Sequence, residues 1–185
     1  MGDEYNHERR FHGGPDQLRA PERMALLEVS RVAALSSEGL TIQNALDVGT
    51  GTGVFAEAFA TLGITVTGID VNADLLAVAR EHVPAGQFQE APAKKIPFPD
   101  RSFALVFLGH VLHETDDALA ALKEARRVTR SRVVILEWPY RDEPQGPPLE
   151  HRLKPERIAA LATSAGYSKI ETIHLQHMDF HRLTP

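Results

Sequence analysis

The chain has 185 residues, is 43% hydrophobic and 24% charged, and carries a formal net charge of −5; this describes one globular domain with a real core and argues against a binder of the nucleic-acid backbone, whose surface would be basic. It contains no cysteine, which excludes disulfides, thiolate zinc sites, a cysteine nucleophile and cysteine-held iron–sulfur clusters. No stretch approaches the roughly 20 apolar residues of a membrane span, and the opening MGDEYNHERRFHGG is too polar for a secretory signal, so a cytoplasmic setting is expected.

Residues 1–15 read as a polar tail. From 16 to 36, Met24, Leu27, Val32 and Leu35 recur among charged residues and Pro21 suits a first helical turn, which predicts a helix ahead of the first strand. Strand and helix then alternate: strand 44–48, helix 53–62, strand 64–69, helix 73–82, strands 86–90 and 103–108, helix 116–129, strand 132–137, helix 155–165. That order predicts a parallel sheet covered on both faces. Leu119, Leu122, Ala125 and Val128 step by three along helix 116–129, and RVVILEW after it is too continuously apolar to face water, which marks a central strand. Helix 155–165 starts at Pro155 and stops at Gly166. YSKIETIHL and HMDFHRL read as two short strands closing the sheet edge as a hairpin, and PYRDEPQGPP at 139–148 is a linker-like stretch.

The most telling run is ALDVGTGTGVFA at 45–56, followed by GIDVN at 68–72. Ala45, Leu46 and Val48 form a buried strand, and Gly49, Gly51 and Gly53 let the chain turn tightly and approach a ligand without a Cβ in the way. The second strand delivers Asp70 about 20 residues after the turn begins, where a carboxylate accepts hydrogen bonds from ribose hydroxyls. A nicotinamide fingerprint starting at Gly49 needs glycine at position 54, and the chain has Val54 there.

The order Asp47-x-Gly49-x-Gly51-x-Gly53 instead resembles motif I of the class I S-adenosylmethionine-dependent methyltransferases. Farther on, Ile96-Pro97-Phe98-Pro99-Asp100 with Ser102-Phe103, then Val111-Leu112-His113, resembles the quinone-biosynthesis-like (type 11) subfamily. The resemblance implies S-adenosylmethionine as cofactor, with the turn close to its carboxypropyl and ribose parts and Asp47 ordering the loop and the methionine amino end. Pro92 falls where that family commonly has an acidic or hydroxyl residue for the adenine amino group, and Ala104 where aspartate is common, which leaves adenine to backbone groups near 91–94 or to Glu90. The implied cofactor-binding set is Asp47, Gly49, Thr50, Gly51, Gly53, Asp70, Val71, Ala91, Pro92, Ala93, Leu108 and Gly109. The implied fold is a single α/β domain over 16–185, a Rossmann-like, doubly wound, seven-stranded and mostly parallel sheet with an antiparallel last strand and an extra N-terminal helix.

Methyl transfer from a sulfonium is an in-line displacement, so a general base matters only for a protonated acceptor. His110 and His113 follow the fourth strand at the carboxyl edge of the sheet and are the candidate catalytic residues. Glu137 and Trp138 end the fifth strand on the same edge, with Trp138 a candidate wall for an apolar or cationic acceptor. His174, His177 and His181 look metal-like, but an odd separation sends 174 and 177 to opposite faces of a strand, and no metal is expected. The stretch LGHVLHE lacks the Asn/Asp-Pro-Pro-aromatic motif of enzymes that methylate exocyclic amines of bases.

The expected reaction is methyl transfer to a small-molecule acceptor by a monomer or homodimer, with no nucleic-acid or membrane partner. The alternative is a non-catalytic module or partner subunit that binds S-adenosylmethionine or S-adenosylhomocysteine; a nucleotide-dependent oxidoreductase is disfavoured by Val54. Segments 5–20, 109–114 and 138–148 reach the carboxyl edge carrying Tyr5, Phe11, His12, His110, His113, Trp138 and Tyr140, a mix suited to a small, partly apolar acceptor. The first of them is either a lid or a disordered tail.

Overall fold

In the computed structural model, which describes residues 13–185, seven strands pair into one sheet of order β3-β2-β1-β4-β5-β7-β6. They are β1 Asn44–Val48, β2 Thr65–Asp70, β3 Gln87–Glu90, β4 Phe103–Gly109, β5 Thr129–Glu137, β6 Lys169–His174 and β7 Asp179–Thr184. Strands β1 to β5 run parallel, and β7 runs antiparallel between β5 and β6. The chain builds outward from β1 through β2 to β3, then returns to the other side of β1 as β4. That reversal opens a crevice at the carboxyl ends of β1 and β4, where ligands bind in sheets of this type.

The helices are α1 Pro15–Leu18, α2 Pro21–Leu26, α3 Val29–Ser37, α4 Val54–Thr61, α5 Ala73–His82, α6 Ala118–Val128 and α7 Pro155–Ser164. Alternation along the strands sends side chains to two cores. Leu46, Val106, Val133 and Ile135 pack with Leu122 and Ala125 of α6 and Ile158 and Leu161 of α7. Ala45, Leu105, Phe107 and Val134 pack on the other face with Val32 of α3, Phe55 and Phe59 of α4 and Leu76 of α5. Both faces of β4 and β5 are therefore buried, as the unbroken apolar run of β5 requires.

Three features depart from the sequence reading. The helical pattern over 16–36 folds as three short helices: Ala20 takes an extended ψ of 136° ahead of Pro21, as the residue before proline tends to do, and Glu28 turns left-handed at φ 45° before α3. Strand β5 starts at Thr129 rather than 132, because α6 is capped at its start by Asp117, whose carboxylate accepts from the Ala120 amide at 2.9 Å, and is finished by Val128. The stretch 139–148 is no free linker. The Arg152 guanidinium donates to the carbonyls of Pro139, Arg141, Gln145 and Pro147 at 2.7–3.2 Å, gathering the loop around one buried cation.

A second arginine explains the stretch 96–100. Arg127 of α6 donates to the carbonyls of Ile96 and Phe98 at 2.9 and 2.8 Å while pairing with Glu124 and Asp100, and Glu124 accepts the Ile96 amide at 2.8 Å. The loop is thus fixed on the helix that follows it. Among the described residues, no helix is long and apolar enough to cross a membrane.

Candidate active site

At the end of β1 the chain turns through Gly49, Gly51 and Gly53 with φ of 68°, 53° and 79°, values a side-chain-bearing residue adopts only under strain. The turn is tied to β2 by the Gly49 and Thr50 amides, which donate to the Ile69 carbonyl at 2.8 and 3.0 Å. Packing demands glycine as well. A Cβ on Gly49 would lie 2.5 Å from Val111 Cγ2, and one on Gly53 3.0 Å from Ala79 Cβ. A Cβ on Gly51 would meet only Leu18 Cδ1, at 3.6 Å, and would stand in a cavity that both residues line.

Two carboxylates set the turn. Asp70, ending β2, accepts from the Gly51 amide at 2.8 Å and from the Asn72 amide at 2.9 Å, and Asn72 in turn caps α5 through the Asp74 and Leu75 amides. Asp47 sits beneath the turn, 2% exposed, accepting from Thr50 Oγ1 at 2.7 Å. Burial is the largest influence on Asp47 and the Asp70 charge adds to it; together they outweigh the Thr50 bond and push the Asp47 pKa up to about 7.

The cavity measures about 550 Å³, within the range of small-molecule sites. Its floor is Gly49, Thr50 and Gly51; Asp70 and Val71 bound one side, Ala91, Pro92 and Ala93 another, and Gly109 and His110 the far end, under a roof of Leu18, Arg23 and Leu27. Ten of the fourteen residues singled out from the sequence therefore line one space. Asp47 and Gly53 stand behind its wall. Leu108 does not reach it: fully buried, it packs with Leu46, Val106 and Ile135 between the sheet and α6, because it falls on the α6 side of the β4 alternation. His113 does not line it either.

His113 is 3% exposed, with Nδ1 2.6 Å from Glu137 Oε2. The other Glu137 oxygen accepts the Leu112 and His113 amides at 2.9 and 3.4 Å, so the carboxylate that ends β5 fixes the loop that follows β4. Burial opposes charge on both groups, but their mutual attraction and hydrogen bond outweigh it: the His113 pKa is raised and the Glu137 pKa lowered. Both shifts favour the charged forms.

His110 differs in every respect. It takes a left-handed φ of 61°, is 9% exposed, and neither ring nitrogen has a hydrogen-bond partner among the described residues. Burial, with Arg23 and His113 adding repulsion, drives its pKa down to about 3 against the pull of Glu137, so the ring is neutral. Trp138 lies behind it, ring centroids 5.4 Å apart, and is not a wall of the cavity. The Arg152 guanidinium lies 5.5 Å from the indole centroid, and Gly146 approaches so closely that a Cβ there would fall 2.6 Å from the ring. Trp138 thus joins the folded 139–148 loop to the His110 ring.

The remaining histidines are separate. His177 lies in the turn after β6 rather than on the strand, so the opposite-face argument does not apply to it; His174 Nδ1 is 2.6 Å from Asp179 Oδ1, and His181 Nδ1 is 2.9 Å from Thr172 Oγ1. Among the described residues no cluster of three His, Cys, Asp or Glu side chains is arranged to hold a metal ion. Tyr5, Phe11 and His12 lie outside the described residues. Leu18 falls in the segment 5–20 expected at this edge and Leu27 in the apolar pattern of 16–36, whereas Arg23 and Arg152 carried no mark in the sequence that set them apart.

The family model described as "Methyltransferase domain" matches residues 46–136. The demethylmenaquinone methyltransferase of Chlorobaculum tepidum is 40% identical over 94 residues, 50% of this chain and 39% of that protein. The malonyl-[acyl-carrier protein] O-methyltransferase of Serratia marcescens is 36% identical over 91 residues, 49% of this chain and 36% of that protein. Each match thus spans less than half of the relative's length. The crystal structure of a SAM dependent methyltransferase from Aquifex aeolicus superimposes with a TM-score of 0.79 at 23% identity, over 92% of this chain and 98% of that one, which establishes the shared fold. Sheet order, glycine turn and the match of residues 46–136 to the methyltransferase domain agree, so the chain is similar over that stretch to S-adenosylmethionine-dependent methyltransferases and shares their fold.

Proposed function

We propose that the chain transfers a methyl group from S-adenosylmethionine to a small-molecule acceptor in the cytoplasm, without a nucleic-acid partner. The observation that carries this reading is the single cavity in which the 49–53 turn and Asp70 face His110 and the loop after β4. The residues present fit the cofactor: Gly51 leaves open the space a Cβ would fill, Asp70 stands at the end of β2 for the ribose hydroxyls, and the 91–94 backbone offers the adenine a rim. Bound there, the cofactor supplies an electrophilic methyl on a sulfonium. The chain's work is to hold donor and acceptor in line, which is worth roughly 7–11 kcal/mol of barrier lowering in well-oriented systems.

Neither histidine suits the role of a strong base. The His113 ring is bound to Glu137, with its pKa raised, and stands off the cavity, and a ring with a pKa near 3 does not take a proton from an ordinary hydroxyl. The reading therefore assigns an acceptor that reacts as a carbon or heteroatom nucleophile needing no strong protein base. Demethylmenaquinone and malonyl-[acyl-carrier protein], named for the relatives, mark two such directions; Leu18, Leu27 and Val111 along the lining favour a quinone-like ring. Calorimetry with S-adenosylhomocysteine and label transfer from methyl-labelled S-adenosylmethionine to a panel of quinols and malonyl thioesters test this. Binding of S-adenosylhomocysteine with label in one product is expected; binding of NAD in preference to S-adenosylhomocysteine would overturn it.

A further inference from the structure

We propose that His110 recognises the methyl acceptor, its ring hydrogen-bonding a hydroxyl or enol group on a partly apolar, ring-sized molecule. The inference rests on the methyl-transfer reading of the same cavity and goes further by naming the feature of the acceptor that is read and the side chain that reads it.

Three independent observations converge on this ring. It lines the cavity at the end opposite Asp70 and Val71, yet both nitrogens are buried and unpartnered among the described residues. Buried polar atoms in folded proteins are nearly always paired, and those that are not mark a place where a ligand or water completes the set. The backbone is also held left-handed at φ 61°, a state found in only a few per cent of residues other than glycine, though histidine tolerates it better than most, and such conformations gather at binding sites. Finally, the ring is braced rather than loose: Trp138 packs 5.4 Å behind it, and Arg152 holds Trp138 and the 139–148 loop together. A strained, braced and unpaired imidazole is expensive to keep unless something pairs with it.

The chemistry of the partner follows from what surrounds the ring. A neutral imidazole offers one N–H donor and one bare nitrogen acceptor, and a hydroxyl complements either. Leu18, Leu27, Phe55 and Val111 line the same space, with Arg23 and Glu114 among its charged groups, which suits a partly apolar body that carries the hydroxyl. His113, paired with Glu137, takes no part in the contact.

The test compares two probes of like size on protein saturated with S-adenosylhomocysteine: 1-naphthol, and 1-methylnaphthalene, which lacks the hydroxyl. The quantity read is the ratio of their affinities in the wild type, in His110→Phe, which keeps a ring of similar bulk, and in His110→Gly, which accepts the left-handed backbone and keeps the measurement available should the phenylalanine variant not fold. The preference for 1-naphthol is expected to fall about tenfold in either variant, the effect of losing one hydrogen bond. An unchanged ratio in a folded variant, or no binding of 1-naphthol to the wild-type complex, would overturn the assignment of His110. Failure of the wild type to bind S-adenosylhomocysteine would instead overturn the methyl-transfer reading beneath it.

Discussion

The turn end of the cavity, where β1 and β2 finish, is made of backbone: three left-handed glycines, amides bonded to the Ile69 carbonyl, and the Asp70 carboxylate spanning the Gly51 and Asn72 amides. The far end, where β4 and β5 finish, is organised by side chains: Glu137 on His113, Trp138 behind His110, and Arg152 on four backbone carbonyls. Each end also holds one buried carboxylate, and the two are treated oppositely. Glu137 is compensated by the His113 ring and by two amides, and its pKa falls; Asp47 has a hydroxyl, the Ala56 amide and a neighbouring carboxylate, and its pKa rises. A backbone-built site shifts its binding when one side chain changes, whereas a site built on paired side chains loses its fold.

The sharpest break of that contrast is Glu137→Ala. It leaves the buried His113 ring and two buried amides without their acceptor, and removing one partner of a buried, hydrogen-bonded pair costs about 3–5 kcal/mol. Denaturant unfolding near neutral pH is expected to show that loss. A change below about 1 kcal/mol, the range of exposed ion pairs, would mean that the far end does not depend on the pair.

Asp47 gives the second, in the pH dependence. Its folded pKa of about 7 lies above the ordinary value of 3.8, so the native state binds the proton more tightly than the unfolded chain does, and stability from this group is full below the unfolded value and lost as pH rises through the folded one. Over the window from about pH 4 to 7.5 the wild type is expected to lose up to about 4 kcal/mol relative to Asp47→Asn, at 1.36 kcal/mol per unit. Parallel unfolding curves for the two proteins at pH 5 and pH 8 would sink the claim.

The same contrast explains what could be read from the sequence. Glycines at 49, 51 and 53 and an acid at 70 announce themselves because backbone geometry permits few residues there, and local spacing carries the whole signal. The alternation of strands and helices was legible for the same reason, down to the edge hairpin of β6 and β7. What was missed depends on long-range packing. Nothing near Arg152 tells that it gathers 139–148, since its acceptors are backbone carbonyls available in any sequence. Trp138 looked like a ligand wall because its position at the end of β5 was visible while Gly146 and Arg152 against it were not. Leu108 was drawn into the site by proximity to Gly109, but one step along a strand reverses the face. The break of 16–36 into three helices turned on Glu28, a residue with no propensity for the left-handed state it adopts.

Asp70→Ala tests the backbone-built end directly. Two charge-assisted hydrogen bonds to the turn disappear, but the amides at Gly51 and Asn72 are near solvent, so the fold is expected to survive. Hydrogen bonds to a charged group contribute roughly 1.5–3 kcal/mol, and affinity for S-adenosylhomocysteine should drop about ten- to a hundredfold by calorimetry. Unchanged affinity in a folded variant would remove Asp70 from the cofactor site.

The smallest effect is expected where the roof meets the turn. Arg19, between α1 and α2, donates to the Thr52 carbonyl at 2.7 Å and pairs with Glu57 of α4, so it ties the segment bearing Leu18 and Arg23 to the helix that starts after the glycines. Glu57 is half-exposed, and a pair so placed contributes no more than about 1 kcal/mol; Arg19→Ala should therefore barely move the unfolding midpoint. Its consequence belongs to dynamics. With the tether gone, the roof opens more often, and the dissociation rate of S-adenosylhomocysteine should rise a few-fold in stopped-flow displacement, with the association rate little changed. An equal rise in Asp70→Ala and Arg19→Ala would mean that floor and roof hold the ligand alike. A rate unchanged in Arg19→Ala would leave the backbone-built floor as the sole grip on the cofactor.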